Sequence, residues 1–186
     1  MLIPGGFGER AIEGKINVIK YCRENNIPFL GLCYGMQLAV VEYARNVCGL
    51  KEAHTTEINR EAKFPVIDVM PDQKNNLRKK NFGATMRLGA YQCELTPGTK
   101  AYKYYDKQSK ISERHRHRYE LNNTYRDQLE SSGLVISGIN PEKGLVEIIE
   151  LSKHKFFIAT QFHPELKSRP FKPHPLFAAF IKIAAK

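Results

Sequence analysis

The sequence predicts an α/β fold, in which a sheet of mostly parallel strands is flanked by helices. An apolar run at 29–32 passes directly into a helical pattern, and the apolar start of the chain breaks into Pro4-Gly5-Gly6 before another helical pattern. Short apolar runs then recur towards the C-terminal end. Strands alternating with helices are typical of parallel sheets. We expect one domain over residues 1–186, which is long enough to bury a substantial core.

The elements follow from apolar spacing and from residues that end helices. Ile12, Ile16 and Ile19 lie on or near one face of a helix predicted over 12–25, which ends at Asn25-Asn26. A strand is expected at 28–32, followed by a helix at 34–47 that Gly49 closes. Further strands are predicted at 64–70, 134–137, 145–150 and 156–161, a polar lysine-rich loop at 71–81, and an amphipathic helix at 175–185.

Cys33 lies between Gly31 and Gly35 at the junction of a strand and a helix. This layout is typical of a nucleophile elbow, in which a tight turn presents the nucleophile at the carboxyl end of a strand. The positive end of the helix dipole favours the thiolate there. The alternative is a buried core cysteine, which is the commonest environment of a free cysteine.

A second segment, 159–165, carries His163 and Glu165 at the end of an apolar strand. A histidine can take the thiol proton and pass it to a leaving amine, while a carboxylate orients the imidazole. We expect Pro164 to hold the backbone extended between the two. Alone, such a segment is more often a loop without function, but together with Cys33 it predicts a catalytic triad.

The glycine-rich turn after residue 3 is the third feature. Acyl transfer needs two amide donors aimed at the developing oxyanion. The elbow supplies one from Tyr34 N–H, and Gly6 N–H is the candidate for the other. On its own, a Pro-Gly-Gly turn is more often structural.

The composition favours a reduced, cytoplasmic setting. The four cysteines show no CxxC spacing, no secretion signal precedes them, and no apolar run reaches the length of a membrane helix. The net charge of +10 raises a competing hypothesis, a basic nucleic-acid-binding module, because the positive charge is concentrated between residues 74 and 118. Solvated lysine runs are usually surface only, so nucleic-acid binding is the weaker hypothesis.

With these features, the chain resembles the class I (triad) glutamine amidotransferases and, among them, the glutaminase domains of CTP synthases. The resemblance runs over nearly the whole chain. The motifs that carry it are Pro4-Gly5-Gly6-Phe7-Gly8, Glu13-Gly14-Lys15-Ile16, Gly31-Leu32-Cys33-Tyr34-Gly35-Met36-Gln37, Ala44-Arg45-Asn46-Val47, Thr85-Met86-Arg87-Leu88-Gly89, Glu113-Arg114-His115-Arg116-His117-Arg118-Tyr119-Glu120, Gln161-Phe162-His163-Pro164-Glu165 and Ser168-Arg169-Pro170. The arginine-histidine run is the most specific of them.

The resemblance implies roles for particular residues. The nucleophile, base and orienting acid would be Cys33, His163 and Glu165, the oxyanion donors Gly6 and Tyr34, and the glutamine ligands Gln37, Glu57 and Arg118. A guanidinium suits the carboxylate of free glutamine, and a carboxylate suits its ammonium. Without the resemblance, surface ion pairing would be favoured for Glu57 and Arg118. No metal or cofactor is implied in this domain.

The resemblance also implies a larger protein. The domain would lack its first strands and the upstream amidoligase domain, which uses ATP and Mg²⁺ to aminate UTP with the released ammonia. GTP is a candidate allosteric effector, and the full-length protein would be a homo-oligomer, a tetramer in the family. The alternatives are the glutaminase of another amidotransferase, a γ-glutamyl hydrolase, the nucleic-acid module, or a pseudo-enzyme kept for assembly.

Two positions depart from the family pattern. Tyr34 stands where leucine is usual, and we expect the change to affect packing mainly, because the role there belongs to the backbone N–H. Ala84 replaces the second of two glycines before Thr85, which is expected to restrict the backbone of a lid slightly.

Overall fold

The computed structural model describes residues 1–69 and 86–186. The strands are β1 (Leu2–Ile3), β2 (Phe29–Leu32), β3 (Ala53–Thr55), β4 (Phe64–Val69), β5 (Arg87–Leu95), β6 (Lys110–His117), β7 (Tyr119–Leu121), β8 (Val135–Ile139), β9 (Val146–Glu150) and β10 (Phe157–Thr160). The helices are α1 (Ile12–Glu24), α2 (Tyr34–Asn46), α3 (Lys100–Tyr104), α4 (Arg126–Ser131) and α5 (Pro175–Ala184), with 3₁₀ turns at Asn123–Tyr125 and Pro164–Leu166.

Seven of these strands form one mixed sheet in the order β1-β2-β10-β9-β8-β5-β6. β2 pairs in parallel with both β1 and β10, whereas the pairings from β10 across to β6 are antiparallel. The parallel arrangement predicted from the sequence therefore describes the part of the sheet that carries the elbow, and the α/β class is confirmed. A separate sheet has the order β3-β4-β7.

The adjacent strands β2 and β10 are covered on both faces. Phe29 of β2 and Phe157 of β10 pack in one apolar cluster with α1 and α2. Leu30 and Ile158, one residue further along each strand, belong to a second cluster with α3 and α5. This two-sided burial explains why both strands are apolar at every position, as strands buried on both faces are.

Most predicted elements are present within one or two residues of their expected ends, including both helices around the elbow. The strand expected at 64–70 is described as far as Val69, and the loop expected at 71–81, together with Ala84 and Thr85, lies outside the described residues. Within residues 1–69 and 86–186, no helix is both long and apolar enough to cross a membrane.

The hairpin of β5 and β6 was not predicted. Its two strands pair from Arg87 opposite His117 to Glu94 opposite Lys110. The inward face of β6 carries Glu113, His115 and His117, all at most 5% exposed. Because its buried face is polar, the strand lacks the apolar alternation by which strands are recognised.

Candidate active site

Cys33 occupies the turn between β2 and α2. Its backbone has φ 48° and ψ −97°, an uncommon conformation for a residue with a side chain, and its N–H donates to Thr160 O at 2.6 Å. Gly35 is required two residues later, because a Cβ there would collide with the carbonyl oxygen of Ile3. The chain thus forms the predicted elbow, strained and tightly packed, with the sulfur at the carboxyl end of β2, the strand next to the edge strand β1.

The parallel pairing of β2 with β10 brings the histidine segment to the same edge. Leu32 lies opposite Thr160, so the residues that follow both strands emerge side by side. His163 N–H donates to Arg114 O at 2.8 Å, and His163 Nδ1 lies 2.5 Å from Glu165 Oε1. The expectation for Pro164 was wrong, since a 3₁₀ turn begins there and curls Glu165 back under the imidazole.

The imidazole of His163 lies between an acid and the thiol. The Cys33 sulfur first, and then the Glu165 carboxylate, raise the pKa of His163 to about 10. Burial is the largest single influence on Glu165 and raises its pKa, but the hydrogen bond from His163, a backbone hydrogen bond and the nearby histidine charges together lower the net pKa. The Nε2 atom of His163 is buried, and its interaction with the Cys33 thiol falls short of full hydrogen-bond geometry. The imidazole, the thiol and the acid are therefore arranged for proton transfer.

A cavity of about 470 Å³ opens in front of the sulfur. It is lined by Gly5, Gly6, Phe7, Cys33, Gln37, Glu57, Met86, Arg116, His117, Arg118, Tyr119 and His163. Six of the eight site residues expected from the sequence line this cavity. Glu165 lies behind the imidazole, and the Tyr34 side chain is buried beneath the glycine-rich turn.

The glycine-rich turn is held by two side-chain hydrogen bonds at Gly8. The Tyr34 hydroxyl donates to Gly8 O at 2.5 Å, and Gly8 N–H donates to Glu57 Oε1 at 3.1 Å. Burial, with a smaller contribution from the charge of Glu57, raises the pKa of Tyr34 to about 12, so the phenol keeps its proton. The expectation that tyrosine at this position affects packing mainly was incomplete, because its hydroxyl binds the turn.

The three expected glutamine ligands lie on different elements around the cavity. Gln37 Nε2 donates to Tyr119 O at 2.8 Å, while its buried Oε1 has no partner among the described residues. Burial raises the pKa of Glu57, although Gly8 N–H and the charge of Arg118 oppose that rise. The cavity thus has a carboxylate and a guanidinium close enough to interact, as recognition of a zwitterion requires.

Several residues at the site were not identified from the sequence. Phe7, Met86 and His117 line the cavity, and the buried Gln161 donates through Nε2 to Cys33 Sγ at 3.6 Å. Gln161 stands inside the motif that carries His163, but nothing in its spacing distinguishes it from a core residue.

A buried polar cluster supports the cavity wall from behind. Arg87 Nη2 donates to Glu147 Oε1 at 2.6 Å, and His115 Nδ1 lies 2.9 Å from His117 Nε2. Burial, reinforced by the charge of Arg87, lowers the pKa of His117 to about 3, so the imidazole facing the cavity is neutral. Within residues 1–69 and 86–186, no His, Cys, Asp or Glu side chains are grouped as a metal site would require.

Comparison with known proteins agrees with this geometry. The profile of the family described as Glutamine amidotransferase class-I matches residues 1–183. The chain therefore belongs to the class I glutamine amidotransferases. Among solved structures, it matches the glutaminase domain of Trypanosoma brucei CTPS with bound acivicin, with a TM-score of 0.92 and 39% identity over 99% of this chain and 70% of that one. Within the class, the chain groups with the glutaminase domains of CTP synthases.

Curated relatives give the same grouping. The chain is 61% identical over 182 residues to CTP synthase of Caldanaerobacter subterraneus subsp. tengcongensis, and 56% identical over 181 residues to CTP synthase of Bacillus subtilis. These matches cover 98% and 97% of this chain but 33% of each relative, so the chain spans about a third of their length. A glutamine amidotransferase from Thermotoga maritima, 15% identical over 88% of this chain and 56% of its own, shares only the fold, with a TM-score of 0.52.

Proposed function

We propose that this chain hydrolyses glutamine through a thioester on Cys33 and supplies the ammonia for ATP-dependent amination of UTP to CTP. The observation that carries the proposal is the convergence on one cavity of Cys33, the His163–Glu165 pair and the oppositely charged Glu57 and Arg118. Membership of the class I amidotransferases supports the same chemistry.

Substrate binding is assigned from the charges around the cavity. Arg118 would form a bidentate pair with the α-carboxylate of glutamine, and Glu57 would accept hydrogen bonds from its ammonium. Gln37 has a buried, unpartnered Oε1 that can accept a further hydrogen bond from the substrate. With the carboxylate and the ammonium on the α-carbon both held, the side-chain amide at the other end extends towards the sulfur.

The reaction would proceed in two acyl-transfer steps. The thiol proton of Cys33 passes to His163, and Cys33 Sγ attacks the amide carbon. The amide oxygen then becomes an oxyanion that faces the N–H groups of Gly6 and Tyr34. His163 gives its proton to the leaving nitrogen, and ammonia departs as the C–N bond breaks. A water molecule, deprotonated by His163, then attacks the thioester, which releases glutamate and restores the thiol.

The wider setting is proposed from the relatives, which are about three times as long as this chain. We assign residues 1–186 to the glutaminase domain, acting with an amidoligase domain that carries ATP, Mg²⁺ and UTP. A homo-oligomer and an effector role for GTP belong to the same proposal. The four cysteines form no disulfide, which supports a cytoplasmic protein.

The decisive experiment replaces Cys33 by Ala in a protein where this chain is continuous with an amidoligase domain. We expect glutamine-dependent CTP formation to be lost and ammonia-dependent formation to persist, because the thiol serves only ammonia release. Cys48→Ala is the matched control, since this half-buried thiol lies outside the cavity. Glutamine-driven turnover by the Cys33→Ala protein would refute the assignment.

Chemical labelling gives an independent test that does not require turnover. A diazo-ketone analogue of glutamine should modify Cys33 and spare the other three cysteines, and peptide mapping identifies the site. Equal labelling of all four would mean that the cavity does not recognise glutamine.

A further inference from the structure

We propose that the Tyr34 side chain is a positioning residue that holds the glycine-rich turn in place, so that both oxyanion donors are set before substrate binds. This inference deepens the proposed function and rests on it. It assigns a catalytic consequence to the hydroxyl at the position where the family usually has leucine.

The contacts of Tyr34 join the elbow to the turn. Its ring is 2% exposed and packs under Gly6, where Tyr34 Cδ1 lies 3.7 Å from the place that a Cβ on Gly6 would occupy. Its hydroxyl continues to Gly8 and donates to the carbonyl oxygen at 2.5 Å. One side chain therefore contacts the turn at two points, two residues apart.

The turn needs such an anchor because its own backbone is permissive. β1 ends at Ile3, and α1 begins only at Ile12. Gly8 has φ +79°, a conformation that glycine adopts without cost. The Gly6 amide can be aimed at an oxyanion only if external contacts fix the turn, and the side-chain hydrogen bonds that reach it at Gly8 come from Tyr34 and Glu57.

Tyr34 links the two oxyanion donors more directly than Glu57 does, because Tyr34 directly follows the nucleophile in the chain. Its backbone N–H follows the nucleophile and is the first oxyanion donor, while its side chain sets the segment that carries the second donor at Gly6. A shift of about 1 Å between two such donors costs much of their effect, since their strength depends on preorganised geometry. Removing the hydroxyl should loosen that spacing and leave the thiol, imidazole and substrate ligands in place.

The test compares Tyr34→Phe with Tyr43→Phe in the same protein. Tyr43 lies on the same helix, is 5% exposed and donates to Ser132 O at 2.7 Å, so its loss costs a similar buried hydrogen bond far from the cavity. The probe is glutamate γ-semialdehyde, to whose carbonyl the Cys33 sulfur adds. The S–H bond and the C=O π bond break, an S–C bond forms, the thiol proton passes to His163, and the aldehyde oxygen takes the oxyanion position. L-Glutamate, which binds without forming that bond, measures ground-state recognition.

We expect Tyr34→Phe to weaken the aldehyde adduct about tenfold and to lower kcat for glutamine by a similar factor, with L-glutamate affinity unchanged within about twofold. Tyr34→Leu should behave like Tyr34→Phe or worse. Tyr34→Phe and Tyr43→Phe should lower the Tm by a similar few degrees. Tyr43→Phe should nevertheless keep full affinity for the aldehyde. Equal aldehyde affinity in wild type and Tyr34→Phe would overturn the inference, as would parallel losses of aldehyde and L-glutamate binding.

Failure of the proposed function would look different. If wild-type Cys33 formed no adduct with the aldehyde, as judged by its unchanged alkylation by iodoacetamide, the glutaminase assignment itself would fail. A normal wild-type adduct with no effect of Tyr34→Phe would refute the positioning role alone.

Discussion

The buried ion pair behind the cavity provides the most quantitative prediction. Arg87 and Glu147 are at most 3% exposed and are joined by a 2.6 Å hydrogen bond, and the guanidinium also lies 4.4 Å from the centre of the Tyr91 ring. In Arg87→Met the carboxyl group stays buried without its cation. Breaking such a pair from one side costs about 3–5 kcal/mol.

The cost should depend on pH in a definite direction. Burial raises the pKa of Glu147 to about 7 even with Arg87 beside it. Above pH 7 the native wild type has released this proton, native Arg87→Met still holds it, and the unfolded chains of both have released it. The variant therefore loses additional stability as the pH rises above 7, by up to about 1.4 kcal/mol for each pH unit.

Urea unfolding followed by far-UV circular dichroism at pH 6, 7 and 8 measures both effects. Arg126→Met is the matched control, because Arg126 and Glu130 form a partly exposed pair on one helix, and we expect a loss below about 1 kcal/mol that does not vary with pH. The double variant Arg87→Met/Glu147→Gln should recover part of the loss, since Glu147 then carries no charge, although the buried Glu120 also lies 3.8 Å from Arg87 and loses that partner. A loss in Arg87→Met that is small, or constant from pH 6 to 8, would refute the reasoning.

Three further predictions concern catalysis. His163→Ala should lower kcat about a thousandfold or more, whereas Glu165→Gln should lower kcat less, because the proton carrier remains. Equal small losses of kcat in steady-state kinetics would mean that both residues are structural. Arg118→Ala should raise KM for glutamine strongly, with partial recovery in Arg118→Lys. The same variant should change the kinetics of glutaminamide little, because that substrate lacks the carboxylate. An equal effect on both substrates would indicate that Arg118 acts indirectly. Gly5→Ala places a Cβ 2.7 Å from His163 Cε1, so kcat should fall while Tm changes little, and an unchanged kcat would show that the imidazole can yield without loss.

The sequence by itself determined the local features of this protein. The elbow at Cys33 follows from an apolar strand, two glycines and an immediate helix, all within nine residues. The order of His163 and Glu165 after an apolar strand predicted the acid–base pair, although not the 3₁₀ turn that joins them. These features depend on neighbours in the chain, so short-range patterns were enough to predict them.

Only the tertiary structure decided what brings these segments together. The parallel register of β2 with β10 sets Cys33 beside the histidine segment. The inward face of β6 is polar, so no apolar pattern predicts that strand. Likewise, the hydroxyl of Tyr34 reaches Gly8 only because α2 and the glycine-rich turn pack together. Such contacts join residues distant in sequence, and their energies depend on burial and charge pairing, which a linear pattern does not contain.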